Sequence, residues 1–212
     1  MNTKERTGAI TARLKEKYPL AGCSLEYETE PYKLLIMARL AAQCTDARVN
    51  IVAKDLFMQF KSLGDFAGAD LEELEQAVFS CGLYKTKAKN IKDMCRMIID
   101  EFDSKIPEDM RDLLKLPGIG RKIANLIRGD VFGLPAVVAD THCIRISGRL
   151  GLCGSENPNA VEKSLAAVIP PEESNDFCHR LVFFGREYCK AQNPKCGECF
   201  LRDICEYDKN KF

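Results

Sequence analysis

The sequence predicts an all-α protein built as two helical lobes. Apolar residues recur at helical spacing along nearly the whole 212-residue chain, and period-2 alternation is almost absent. Composition agrees. Apolar residues at 46% and charged residues at 29% supply a core and exclude a disordered chain. Thirty-one basic residues balance thirty-one acidic ones, which excludes a protein that grips polyanions through bulk charge. Any nucleic-acid site must then come from a local patch. No apolar run reaches the roughly 18 residues that span a bilayer. The first seven residues mix acid with base ahead of no apolar signal core. An unexported, cytoplasmic protein without a membrane partner is expected.

The elements follow in order. Ile10, Leu14 and Tyr18 share the face of an N-terminal helix stopped by Pro19. That helix is too short to form a lobe alone and should pack on the C-terminal one. Pro31 opens a run from Tyr32 to Cys44 that is apolar on nearly every side, as for a helix in the middle of a bundle. Asp46 can cap the next helix, with Val49, Val52, Leu56 and Phe60 inward. Asp70 with Glu73 resembles a capping box before Leu71, Leu74 and Val78, and Gly82 should end that helix. A helix from Lys87 to Phe102 carries Ile91, Met94, Cys95 and Ile98. A short one covers Glu108 to Leu114, and another runs from Arg121 towards Val131. The extended stretch Pro135–Ala139 reads as a crossing between lobes. Asp140 should cap a helix through Leu150, and two more centre on Val161 and Leu165, then on Phe177, Leu181 and Phe184.

Chemistry concentrates in three places. The first is Leu116-Pro117-Gly118-Ile119-Gly120-Arg121-Lys122, a glycine turn between two helices. Glycine lets the backbone approach a partner closely, and amides at the next helix start suit a phosphate. From Leu113 to Gly129 there are four basic residues (Lys115, Arg121, Lys122, Arg128) and no acid, a local positive patch. An ordinary helix–helix turn is the plain alternative. The string resembles a helix-hairpin-helix element that holds a DNA backbone without reading its sequence.

The second is Lys122 with Asp140. A lysine in the first turn of a helix, beside Arg121, feels the positive dipole end and a like charge; both favour the free amine. A free amine can attack a sugar C1′ and form a Schiff base, although a phosphate contact would also use this lysine. Asp140 follows an apolar run and precedes Thr141-His142. As a helix cap it would hold one oxygen rigid and leave the other for a reacting sugar.

The third is the tail. Seven of eleven cysteines (Cys23, Cys44, Cys81, Cys95, Cys143, Cys153, Cys178) lie in apolar stretches, where free cysteine packs as a small hydrophobe. The other four, Cys189, Cys196, Cys199 and Cys205, are spaced C-x6-C-x2-C-x5-C. Four thiolates with one CxxC and two wide arms favour a 4Fe–4S cluster over zinc, which stays the alternative. Lys190 and Lys195 in the same loop would offer DNA a second basic contact.

Together the hairpin, Lys122, Val-Ala-Asp-Thr-His and the cysteine tail resemble the endonuclease III family, across about Pro31 to Tyr207. The family comprises bifunctional DNA glycosylases and abasic-site lyases of the helix-hairpin-helix superfamily. The resemblance implies a six-helix lobe at 25–133, with the helix-hairpin-helix at about 108–131. A cluster lobe would join 1–24 to 134–212, with its cluster loop at 189–205, and DNA would lie in the cleft between the lobes. It implies Lys122 as the Schiff-base nucleophile and Asp140 as the essential carboxylate. Gln43 would fill the gap left by a flipped nucleotide and Leu83 would be the wedge beside it. Gly118, Gly120, Arg121, His142, Lys190 and Lys195 would be further DNA contacts. The implied substrate is double-stranded DNA with oxidised pyrimidines or abasic sites, cut 3′ to the lesion by a monomer. Two positions depart from the family pattern: Ala139, where valine is usual, and Cys44 beside Gln43. A monofunctional mismatch or adenine glycosylase would lack Lys122 and, in the adenine type, carry a further C-terminal domain. A non-catalytic DNA-binding hairpin module would leave Lys122 with Asp140 unexplained.

Overall fold

The computed structural model describes residues 2–209, with side chains through Tyr207. The extreme terminal residues of the expected cluster lobe, 1 and 210–212, lie outside that range. Among the described residues there are helices and no strand. The α-helices are α1 (Thr3–Lys17), α2 (Pro31–Leu40), α3 (Asp46–Gln59), α4 (Leu63–Gly68), α5 (Leu71–Ala77) and α6 (Tyr84–Glu101). They continue with α7 (Met110–Leu113), α8 (Arg121–Asp130), α9 (Thr141–Arg149), α10 (Pro158–Ala166), α11 (Ser174–Glu187) and α12 (Glu206–Lys209). The chain divides into two compact units, one of residues 23–132 and one joining the segment up to Gly22 with Gly133 onward.

In the 23–132 unit α2 is the centre. Leu34, Leu35, Ile36, Met37 and Leu40 are all buried, and α3, α6 and α8 pack around them. A helix apolar on every side has no solvent face to keep, so burial on all sides is its stable placement. The helix stops at Leu40, four residues before the expected end. Gln43 there adopts a left-handed conformation, φ 55°, which no helix continues through. The cap of α3 is Thr45, whose hydroxyl accepts from the Arg48 amide at 3.3 Å, and Asp46 is the first helical residue. Gly82, φ 70°, ends a 3₁₀ turn (Phe79–Cys81) rather than α5 itself. Asp70 caps α5 by accepting from the Glu72 and Glu73 amides. Helix α6 begins at Tyr84, three residues earlier than expected. Helix α4 was not expected: six residues with two glycines carry no periodicity. It buries Phe66, whose ring lies 5.1 Å from that of Phe60 and 6.0 Å from that of Phe57.

In the other unit α1 and α9 pack on α11. Arg13 of α1 forms a two-pronged pair with Asp203 at 2.6 and 2.9 Å, and Arg6 pairs with Glu206. Thus the beginning of the chain is fastened to its last turns. Residues Ala136 to Ala139 run buried beside α11, with the Ala136 amide donating to Ser174 Oγ at 3.0 Å and the Val138 amide to Cys178 Sγ at 3.3 Å. The expected crossing segment therefore lies inside this unit, after the step at 132–133. Of the seven scattered cysteines, Cys81, Cys95, Cys143 and Cys178 are buried; Cys23, Cys44 and Cys153 are only partly so.

Close approach of α9 to α11 depends on Gly185. A Cβ there would fall against His142 Nδ1 and within 2.9 Å of Arg145 Nη2 and Ile146 Cδ1. Gly185→Ala should cost about 1–3 kcal/mol by overpacking, read as a lower melting midpoint. An unchanged midpoint would mean the two helices separate freely.

Candidate active site and cysteine centre

The hairpin is a turn between α7 and α8. Leu116 and Ile119, 2% and 6% exposed, anchor it to the core, and the Ile119 amide closes the turn on the Leu116 carbonyl at 3.1 Å. Proline at its second position and Gly118 at its third, φ 79°, are the sequence of a type II turn. A second reason for glycine comes from below. A Cβ on Gly118 would stand 2.5 Å from Arg39 Nε and 2.8 Å from Asn90 Oδ1. Those two side chains are themselves joined, Arg39 Nε and Nη2 donating to Asn90 Oδ1 at 3.2 and 2.9 Å. Gly118→Ala combines a left-handed backbone with that collision. It should lower stability by about 1–3 kcal/mol and weaken binding to undamaged duplex, measured by fluorescence anisotropy. Retained stability and affinity would leave the turn a mere connector.

Gly120 begins α8 with extended backbone, φ −102° and ψ 174°, and no side chain caps the helix. No acidic residue occupies its first turn. This end of α8 suits an external acceptor, since the dipole there favours an anion. Arg121 and Lys122 are exposed in that turn. Lys122 has no ion-pair partner among the described residues. Lys115 differs: its amine pairs with Asp112 at 2.6 Å, just outside the acid-free window, so the patch is smaller than the sequence suggested.

Gln43 and Leu83 are both exposed, and both hold left-handed backbones, φ 55° and 49°. Leu83, 55% exposed, initiates α6. Neither is a glycine, and such conformations persist only where the surroundings enforce them. Sequence reading found both residues through the resemblance and had no access to the strain.

Asp140 caps α9. Its Oδ1 accepts from the Cys143 amide at 2.7 Å, and its own amide donates back to the Val138 carbonyl at 2.8 Å. Oδ2 has no partner among the described residues. His142, two residues on, faces Arg145, whose Nη2 lies 3.1 Å from Nδ1. A guanidinium can only donate, so Nδ1 accepts and the ring proton sits on Nε2.

The four tail cysteines line one pocket, open to solvent, together with Arg149, Tyr188 and Tyr207. Burial pushes the Cys199 thiol up to about 11, and the nearby thiols of Cys205, Cys189 and Cys196 add to it. Four soft thiolate donors lining one pocket are a ligand set for a 4Fe–4S cluster, one thiolate per iron. The residues fit the cluster.

Arg145 and Arg149 escaped the sequence reading. From α9, Arg149 Nη1 reaches the Lys190 carbonyl at 2.7 Å and Cys189 Sγ at 3.4 Å, and Nη2 reaches the Ala191 carbonyl at 3.0 Å. Arg145 Nη2 donates to the Cys189 carbonyl at 3.1 Å. Helix α9 thus carries Asp140 at one end and grips the cysteine loop at the other. Two arginines four apart, one and two turns after the cap, were the available signal. Lys190 and Lys195 are exposed on that loop.

Residues 36–171 match the family described as HhH-GPD superfamily base excision DNA repair protein, and 189–205 match the iron–sulfur binding domain of endonuclease III. Endonuclease III of Bacillus subtilis is 44% identical over 194 residues, 91% of this chain and 88% of that protein. The chain belongs to the endonuclease III family. A second member, endonuclease III of Escherichia coli, is 35% identical over 207 residues, 98% of this chain and 97% of that one. Among solved structures, a non-covalent endonuclease III–DNA complex superposes with a TM-score of 0.93 at 44% identity, covering 99% of this chain and 98% of that one. A trapped endonuclease III–DNA covalent intermediate matches equally well, with a TM-score of 0.93. A thermostable thymine-DNA glycosylase, 21% identical with a TM-score of 0.89, shares the fold. Like its endonuclease III relatives this chain is a base excision repair protein of the helix-hairpin-helix class, and it carries a 4Fe–4S cluster. No helix among the described residues is long and apolar enough to cross a membrane.

Proposed function

We propose that this chain excises oxidised pyrimidines from duplex DNA through Lys122 and then nicks the strand 3′ to the lesion. It is a DNA glycosylase with abasic-site lyase activity. The exposed, unpaired amine of Lys122, in the first turn of α8 after the hairpin, carries the assignment of the nucleophile. The hairpin amides and Gly118–Gly120 hold a phosphate, with Arg121 beside them. A damaged base stacks and pairs poorly, so extruding it costs less than extruding a normal one. Gln43 and Leu83 enter the space it vacates.

The free amine of Lys122 attacks C1′. The N-glycosidic bond breaks with its electron pair going to the base, which leaves protonated. The C1′–O4′ bond then opens, O4′ taking up the proton that the attacking nitrogen gives up, and the protonated Schiff base so formed acidifies a C2′ hydrogen; loss of that proton expels the 3′ oxygen with its phosphate and cuts the strand. Water then frees Lys122. Asp140, its Oδ1 fixed by the Cys143 amide, turns Oδ2 to the cationic sugar and to the protons being moved. Cys189, Cys196, Cys199 and Cys205 hold the 4Fe–4S cluster, which when bound orders the loop that carries Lys190 and Lys195. The enzyme works as a monomer on the bacterial chromosome in the cytoplasm.

Borohydride reduction during reaction with an abasic duplex tests the reading. A covalent protein–DNA adduct of one enzyme per strand is expected, and strand cleavage without any adduct would exclude amine catalysis.

A further inference from the structure

Lys87 is fully buried, in an enzyme whose reaction makes no use of it. Its ammonium has no carboxylate partner in the contacts around it. Nζ donates instead to two backbone carbonyls, that of Leu40 at 2.8 Å and that of Cys81 at 2.9 Å. Leu40 is the last residue of α2 and Cys81 the last of the 3₁₀ turn, so the cation sits at two carbonyl ends where the dipoles favour it. Burial pulls its pKa down, as expected for a charge whose only partners are neutral. A methionine would fill the same space without that desolvation cost. What Lys87 supplies and a methionine would not is a hydrogen-bonded bridge between two backbone segments 41 residues apart in the chain, beside the Cys44–Cys81 contact.

What those segments lead to gives the bridge its meaning. Gln43 lies three residues past Leu40 and Leu83 two residues past Cys81, and these are the two exposed left-handed residues described above. Strained backbones of this kind endure where neighbouring structure fixes the chain on either side. Each loop is a short turn between helical segments.

We propose that Lys87 is a positioning residue that locks the Gln43 and Leu83 loops in one register, so that both side chains enter the duplex together. This rests on the reading of Gln43 and Leu83 as the residues that occupy the extruded base's place. A purely structural lysine would affect folding and leave discrimination alone. A register lock acts on the preference for damaged over intact duplex, and spares single-stranded DNA, where there is no gap to fill.

The test uses cluster-loaded enzyme, checked by its visible absorbance, with Lys87→Met, Lys87→Gln and Lys87→Arg. Binding is measured to duplexes with and without a tetrahydrofuran abasic analogue, and cleavage on single-stranded abasic DNA. Lys87→Met should lose about tenfold in affinity for the analogue duplex, within the range of couplings between residues sharing a network. It should bind intact duplex and cut the single strand as wild type does. Lys87→Gln, which can still serve one carbonyl, should fall between and replaces the methionine variant should that one not accumulate. Lys87→Arg should recover part of the loss. Gln43→Ala and Leu83→Ala should be non-additive in the wild-type background and additive beside Lys87→Met. Equal losses on intact, damaged and single-stranded DNA would make Lys87 structural only and overturn the proposal. Wild-type discrimination by Lys87→Met, while Gln43→Ala and Leu83→Ala both lose it, would overturn the lock and leave the reading of the two loops standing. No effect of either loop variant on discrimination would remove that reading, and the lock with it.

Discussion

Lys122→Ala should abolish strand cleavage at abasic sites, by about 10³-fold or more, because the nucleophile has no substitute in its turn of α8. The borohydride-trapped adduct should vanish with it. Loss through misfolding is not expected: the side chain is exposed and unpaired, so its removal falls within about 0.5 kcal/mol. Alanine is also a strong helix former. Affinity for an abasic-analogue duplex should change by less than about tenfold, since the hairpin amides and Arg121 remain. Single-turnover cleavage and denaturing gels of trapped product measure both quantities. A variant that still traps would put the attacking nitrogen elsewhere in the chain.

Asp140→Asn should separate two jobs held by one carboxylate. Asparagine is as good an N-cap as aspartate, and its amide oxygen can still accept from the Cys143 amide. Helix α9 should therefore stay formed, with a melting midpoint close to that of the parent. Turnover should fall by about 10²-fold or more, because a neutral amide neither steadies a cationic sugar nor takes up a proton. Asp140→Ala should lose the same activity and about 1 kcal/mol of stability besides. Should Asp140→Asn cut damaged duplex at the parent rate, the residue would be a cap and nothing more.

The parts that were legible in the sequence share one property: a local pattern determines them. Central burial of α2 followed from an apolar run with no polar face, and the cap at Asp140 from a short acid before a helical period. The hairpin followed from proline and glycine at adjacent turn positions. Features that depend on partners distant in the chain were hidden. Lys115 is the exception: its partner Asp112 is only three residues away, so the loss of its charge from the basic patch was legible. Arg149 reads as a surface charge until the loop forty residues later is seen to wrap around it. Glycine at position 118 was readable as a turn former, whereas the Arg39–Asn90 pair beneath it, which excludes any side chain, was not. Lys87 sits in a helical period where the alphabet of apolar and polar residues places a charge outward. Only the two carbonyls that receive it explain why it points in.

The fastening of α1 to the last turns by Arg6 and Arg13 bears on the order in which a ribosome delivers this protein. Residues 23–132 are contiguous and can fold as soon as they emerge, as domains generally do during synthesis. Helix α1 cannot: its partners Asp203 and Glu206 are translated 190 and 200 residues after Arg13 and Arg6. Until then α1 waits without those partners, and the unit it shares with the cysteine loop can close only after the whole intervening unit has been made.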